Sequence, residues 1–316
     1  MPPRRRSHPG QGGPAPRYPG SFLLALREAA TALHWQVRQI RGDMAECLDA
    51  KGEEHLVGLE NLYRRARQAE RDSWPTLIAD FLSTVAAIDP DQVLPEKLEE
   101  VADRLLVRLG PPLSGLPDDA RVWSQALEGT DLSINLVIDY PNRMAYVTEK
   151  LVQDSGQPGG HWLDVALKNL QERTPPERFE VIEAESGLRI STVADSYDSS
   201  RALILDRLMP EMRAAGWFAA LPGRDSLFVL PVTVGGASQV HLLKVLAEKK
   251  FKSEPYPISA EVFWIKDETW SLVPIRVEGN QVTVTPPKPL VDVFERLAST
   301  SGSDQTGDGA EKEGAR

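Results

Sequence analysis

Apolar positions near the start of the chain fall at helical spacing. Phe22, Leu23, Leu26, Ala29, Ala30 and Leu33 recur every three or four residues, which predicts an amphipathic helix over 21–33. The period then drops to two. Trp35, Val37 and Ile40 alternate with polar residues, Gly42-Asp43 supplies a turn, and 44–48 and 55–59 read as returning strands. Helical spacing returns over 60–69 and 74–88, with Pro75 in a first-turn position and Asp89-Pro90 as a stop. A third helix fits 96–109, although Leu105-Leu106-Val107 also suits an extended segment. The loop formed by Gly110-Pro111-Pro112 and Gly115-Leu116-Pro117 marks a boundary between subdomains.

The second half alternates hairpins with helices. Residues 132–139 form a largely apolar strand, 140–143 a turn and 144–147 a short return. Thr148 is then placed to cap a helix through Gln153. Another helix fits 161–171. Residues 179–183 and 188–193 can pair around Glu185-Ser186-Gly187, and 199–213 read as a helix that bends at Pro210. Strands at 217–221 and 227–232 flank Pro222-Gly223-Arg224-Asp225, and a helix at 238–250 completes a second β-β-α unit. Strands at 262–265, 271–277 and 282–285 and a helix at 290–298 close the chain. Hairpins mixed with helices, in place of strict βαβ alternation, predict an α+β fold with a mostly antiparallel sheet of β-β-α units, preceded by a helical N-terminal subdomain. The expected organisation is an arm at 1–20, a subdomain at 21–117, an α+β domain at 118–299 and a tail at 300–316.

Composition adds the tails and the charge. The 316 residues carry 36 Lys+Arg and 46 Asp+Glu, a net charge of −10. Residues 1–20 hold four arginines, six prolines, four glycines and no acid. Residues 300–316 hold four acids and two bases, so a net −12 remains on 21–299. Both tails lack the apolar content to fold and are expected to be disordered. The acidic body disfavours nucleic acid as its partner, and a role there would rest on the Arg4-Arg5-Arg6 arm. No apolar segment long enough for a signal peptide or a membrane span is present. The lone Cys47 cannot form an internal disulfide, which fits a cytoplasmic protein.

Chemistry-bearing motifs are sparse. The chain has no phosphate-binding glycine loop, no dinucleotide fingerprint and no Gly-x-Ser-x-Gly. His8, His34, His55, His161 and His241 are scattered without metal-ligand spacing, so no cofactor and no metal are expected. Cys47 reads as a small buried hydrophobe. What remains is a candidate binding corner. Arg224 and Asp225 stand at the tip of an apolar hairpin, where the arginine fork suits a carboxylate or phosphate. Asp195 and Tyr197 precede a helix start, with Asp198 or Ser199 as its expected cap. Asp139 ends a strand, and with Asp195 and Asp225 it makes three carboxylates at strand-to-loop junctions. Each position also has a plain structural reading as turn, cap or local ion pair. Tyr63-Arg64-Arg65-Ala66-Arg67 is a basic spot balanced by Glu60 and Glu70.

Several of these segments occur in a recognisable order: Leu59-Glu60-Asn61-Leu62-Tyr63, Asp139 with Tyr146-Val147-Thr148, Ala166 to Leu170, Asp195 to Ser200, and Pro222-Gly223-Arg224-Asp225-Ser226-Leu227-Phe228. Over roughly 35–275 the chain resembles the bacterial YtpQ-like family, a domain of unknown function. It departs from that pattern in its tails, its Ala-rich start and Ser199-Ser200. The resemblance implies a bacterial cytoplasmic α+β protein and carries no reaction with it. Without a nucleophile–base or metal-ligand set, the expectation is a non-catalytic binding or adaptor protein that meets a protein or peptide through an edge strand or the Arg224 groove. The rival is a hydrolase or phosphoryl-handling enzyme built on the Arg/Asp corner.

Overall fold

A computed structural model describes residues 18–41, 44–86, 95–113, 121–140, 143–210, 214–279 and 281–303. The chain divides into two compact units, Met1–Val93 and Leu94–Arg316. The turn at Gly42-Asp43, the stop at Asp89-Pro90, the loop at Gly115-Leu116-Pro117, and most of both tails lie outside the described residues.

The first unit runs α1 (Gly20–Ala32), β1 (Gln36–Arg41), β2 (Met44–Leu48), β3 (Glu54–Gly58), α2 (Leu59–Ala66) and α3 (Trp74–Ala86). Its three strands form an antiparallel sheet in chain order. Phe22, Leu26, Leu59, Leu62, Ile78 and Leu82 are fully buried in one core. The Leu-Glu-Asn-Leu-Tyr segment is therefore a packing motif. Leu59 and Leu62 face inward, and the Tyr63 ring meets Phe22 at 4.9 Å and Tyr18 at 5.2 Å. Arg64 pairs with Glu60 one turn away at 2.8 Å, as the basic spot predicts. Tyr18 is buried, and its hydroxyl donates to Glu60, so the end of the expected arm belongs to the fold.

The second unit begins with a 3₁₀ helix, Leu98–Arg104, followed by β4 (Leu105–Gly110), β5 (Ser124–Ala126), β6 (Ser133–Tyr140) and β7 (Arg143–Tyr146). The helix expected over 96–109 is thus half strand. β4 pairs with β6 without a break from Leu105↔Ile138 to Gly110↔Ser133. That ladder moves the division between units from the Gly110-Pro111-Pro112 loop to Val93/Leu94. β5 and β7 also pair with β6, giving a four-stranded antiparallel sheet. α4 (Glu149–Asp154) follows, with Thr148 Oγ1 accepting from Leu151 N–H at 3.2 Å as predicted. α5 (Gly159–Glu172) lies against β4.

The remaining elements are β8 (Glu180–Glu183), β9 (Leu188–Ser191), a 3₁₀ helix Ser199–Ile204, α6 (Leu205–Leu208), β10 (Trp217–Gly223), β11 (Ser226–Pro231), α7 (Val234–Ser253), β12 (Val262–Lys266), β13 (Thr269–Val273), β14 (Ile275–Glu278), β15 (Gln281–Val284) and α8 (Lys288–Ser303). Of the helix expected over 199–213, residues 211–213 lie outside the described residues, and 199–208 are a 3₁₀ helix and one short α segment. The strand expected at 271–277 is two strands, because Pro274 has no N–H to continue a ladder. α8 reaches Ser303, so the first residues of the expected tail belong to a helix.

A six-stranded antiparallel sheet, ordered β13-β12-β10-β11-β9-β8, carries the site. β10 is buried at every position because both of its faces are covered. Trp217, Ala219 and Leu221 share a core with α5 and the four-stranded sheet, while Phe218 and Ala220 share one with α7 and α8. This alternation explains why its sequence is continuously apolar. The two β-β-α units are β6-β7-α4 and β10-β11-α7, and the fold is α+β.

The turn before β6 depends on a left-handed glycine. Gly129 has φ +79°, and a β-carbon there would stand 2.3 Å from the Trp270 carbonyl oxygen, whereas Gly156, at φ +68°, has open space. Gly156→Ala is expected to destabilise by about 1–2 kcal/mol, the general cost of a left-handed non-glycine residue. Gly129→Ala is expected to cost clearly more, because the backbone of β13 must also move. Chemical denaturation of the two variants measures the difference.

Candidate functional site

The five candidate residues gather around one loop, the connection from β9 to the 3₁₀ helix Ser199–Ile204. Asp198, wholly buried, shapes it. Its carboxylate accepts from the backbone N–H groups of Val193 and Ala194 at 3.1 and 2.8 Å, and from the Ser191 hydroxyl. Neither Asp198 nor Ser199 caps the helix, contrary to expectation, because the Asp198 carboxylate turns back onto its own upstream loop. Two non-glycine residues in the loop, Ala194 and Ser196, adopt left-handed φ values of 60° and 76°. Such strain persists only where contacts over-determine it. Here Asp198 holds Ala194, and Asp225 Oδ1 accepts from Ser196 N–H at 2.9 Å.

Arg201 stands at the centre, fully buried. Its fork donates to both oxygens of Asp195, at 2.9 and 2.6 Å, and to Asp198 at 3.3 Å, while its Nε donates to Thr174 at 3.1 Å. Burial alone would push the Asp195 carboxyl up. The Arg201 hydrogen bonds and charge, the Tyr197 N–H and the Arg178 charge outweigh it and hold Asp195 below the ordinary carboxylate range.

Tyr197 points to the four-stranded sheet. Its hydroxyl donates to Asp139 Oδ1 at 2.9 Å, and Arg173 donates to Asp139 Oδ2 at 2.6 Å. Burial and then the Asp139 charge push the Tyr197 phenol far up, so it stays protonated at neutral pH. At the hairpin tip, Arg224 donates to Asp225 Oδ2 through Nε and Nη2 at 3.1 and 2.9 Å, and its guanidinium lies 3.7 Å from the centre of the Tyr256 ring. Its carbonyl accepts from Ser199 N–H at 3.2 Å, tying the hairpin to the loop.

The structure thus brings Asp139, Asp195, Tyr197, Arg224 and Asp225 to one loop, but as members of closed pairs. The carboxylates of Asp139, Asp195 and Asp225 are not gathered within 4.8 Å of one another, so they do not share a metal-ligating position. Among the described residues, that degree of gathering occurs at Asp49, Glu53 and His55 in the first unit. There Asp49 Oδ1 accepts from the Lys51 and Glu53 N–H groups, and His55 Nε2 lies 3.3 Å from Oδ2, which accounts for the cluster as the closure of the β2–β3 turn. Cys47 is buried across the sheet from His55, and burial pushes its thiol up, as suits an inert residue.

A scan against protein-family models, a search of curated proteins and a search of solved structures each found no match.

Sequence patterning missed Arg201, because an arginine inside an apparent amphipathic helix reads as solvent-facing. The available signal was the two aspartates three and six residues upstream. Patterning also missed a cleft of about 240 Å³ lined by Leu163, Leu167, Leu205, Ile265 and Trp270, with the exposed Asp164, Arg207 and Glu268 at its edge. Its walls come from α5, α6 and the β12–β13 turn, which meet only in the folded unit.

Two outcomes follow from the Arg201 geometry. Arg201→Met leaves the buried Asp198 without its cation and is expected to cost about 3–5 kcal/mol in denaturant unfolding. Asp195, held low in the folded state, adds stability that is complete above its unfolded pKa of about 4 and is lost as pH falls from there through the lower folded value. Asp195→Asn is expected to flatten that acid limb, measured as the urea midpoint between about pH 5 and pH 2.

Proposed function

We propose that this chain is a non-catalytic cytoplasmic binding protein, and that its partner is a peptide segment with apolar anchors and basic flanks. The observation that carries this reading is the cleft. Its apolar lining offers hydrophobic burial, the main source of affinity in concave sites. Its exposed edge carries two carboxylates, Asp164 and Glu268, against one cation, Arg207, which stands 4.0 Å from Glu268. A rim of that sign complements Lys or Arg and steers their approach.

The condition of the Arg/Asp corner supports the same reading over a hydrolase or phosphoryl-handling enzyme. Arg224 is engaged by Asp225 and Tyr256, Asp195 by Arg201, and Asp139 by Tyr197 and Arg173. Each of these carboxylates anchors a neighbouring side chain, the arrangement of a structural pair. Among the described residues no helix is long and apolar enough to cross a membrane, which fits a partner met in solution. The resemblance to the YtpQ-like family belongs to this proposal too, and it is compatible with a binding role.

Asp164 and Glu268 are exposed, so their reversal should leave the fold intact. Panning a random peptide library against the chain is expected to enrich sequences that combine Leu, Ile, Phe or Trp with Lys or Arg. Asp164→Lys with Glu268→Lys is expected to weaken the enriched peptides by about tenfold or more, near 1.4 kcal/mol. Enrichment that survives the double reversal would remove the cleft from the proposal.

A further inference from the structure

Arg108 differs from the arginines of the corner. It sits on β4, half-buried, directly opposite Asn135 of β6. Side chains two and four residues apart on a strand share a face, so Asn135 and Asp139 lie on the face from which Arg108 projects. The Arg108 guanidinium crosses that face to Met144, the β7 residue paired with Asp139, and donates to its sulfur at 3.1 Å. A thioether is a weak acceptor, and a guanidinium has five donors. Among the described residues no carboxylate stands within ion-pair distance of Arg108. Asp139, the nearest in register, already accepts from Tyr197 on one oxygen and from Arg173 on the other.

Beside this underused cation is an unused acceptor. Asn135 is 2% exposed and its Oδ1 has no hydrogen-bond partner, while its amide nitrogen donates to the Arg108 carbonyl. A buried polar atom in that state costs free energy unless something completes it. Arg173 contributes a second positive charge, and both arginines act electrostatically on the Tyr197 hydroxyl. Asp139 is paired with Arg173, so Arg108 has no carboxylate of its own among the described residues.

We propose that the face of the four-stranded sheet around Arg108 binds a small oxyanion, a phosphate or carboxylate group. Arg108 is its main ligand and Arg173 the second cation. The planar fork of arginine matches either oxyanion with two parallel hydrogen bonds. The site is separate from the peptide cleft and does not depend on it.

The test is calorimetric titration of the full chain with inorganic phosphate and, separately, with citrate, at ionic strength held constant with chloride. Saturable binding of one or both is expected, and the stronger arm identifies the ligand class. Arg108→Met is expected to weaken binding by about tenfold or more, and Arg108→Lys, which keeps the charge and loses the fork, by less. Arg38→Gln, on the surface of the first unit, is expected to leave binding unchanged. The thermal midpoint of Arg108→Met without anion is expected to equal or exceed that of the native chain, because an unpaired half-buried charge has been removed. Should Arg108→Met fail to fold, Arg108→Lys decides alone. Absence of saturable binding of either anion, or binding untouched by both Arg108 substitutions, overturns the proposal.

Discussion

A guanidinium withdrawn completely from water organises the loop-rich end of the second unit. Burying a charge costs several kcal/mol unless partners replace its hydration. Arg201 has those partners in Asp195, Asp198 and Thr174. Asp198 in turn holds the backbone of Val193 and Ala194, so the path of the chain after β9 follows from the pairing. That path carries Ser196 to Asp225 and Tyr197 to Asp139. The hairpin tip of β10–β11, the end of β6 and the end of α5 are thereby joined through one loop. Backbone strain at Ala194 and Ser196 is tolerated because these contacts leave the loop no alternative.

The same unit uses arginine in two physically distinct ways. Arg201 and Arg224 are each paired with carboxylates, Arg201 with Asp195 and Asp198 and Arg224 with Asp225. Their role is to hold shape. Arg108 projects from a sheet face with sulfur as its acceptor and an unsatisfied amide oxygen opposite. Completed networks lock a structure, whereas incomplete ones leave interaction capacity for something outside the chain. The acidic-rimmed cleft is a third environment, apolar within and negative at its edge. An acidic body thus presents a negative groove and a small positive face, which suit ligands of opposite charge.

Much of the architecture was legible along the chain because it is local. The β1–β2 hairpin, the Thr148 cap, the β-β-α order and the doubly apolar run of β10 all follow from spacing and turn chemistry within a few residues. Three of the misreadings come from contacts that the local pattern does not show. Residues 105–110 resemble the end of a helix until β6 pairs with them, and 199–204 resemble the start of a solvent-facing α-helix until Arg201 turns inward to Asp195, Asp198 and Thr174. Tyr18 looks like part of a Pro/Gly-rich arm until Phe22 and Tyr63 offer it a pocket. For β4 and Tyr18 a partner distant in sequence outweighed local propensity; for Arg201 a buried ion pair formed within six residues did.

The candidate site followed the same division. Sequence alone was enough to choose Asp139, Asp195, Tyr197, Arg224 and Asp225, because polar residues at strand-to-loop junctions are conspicuous between apolar runs. It was also enough to define an α+β chain with an acidic body and no recognisable catalytic motif. Only the tertiary structure decided what those residues do, joining them into closed pairs and leaving Arg108 open. The reason is physical. A residue's type and spacing set which charges and hydrogen-bonding groups it can offer, but whether they are satisfied depends on which distant strands and loops are brought within about 3 Å.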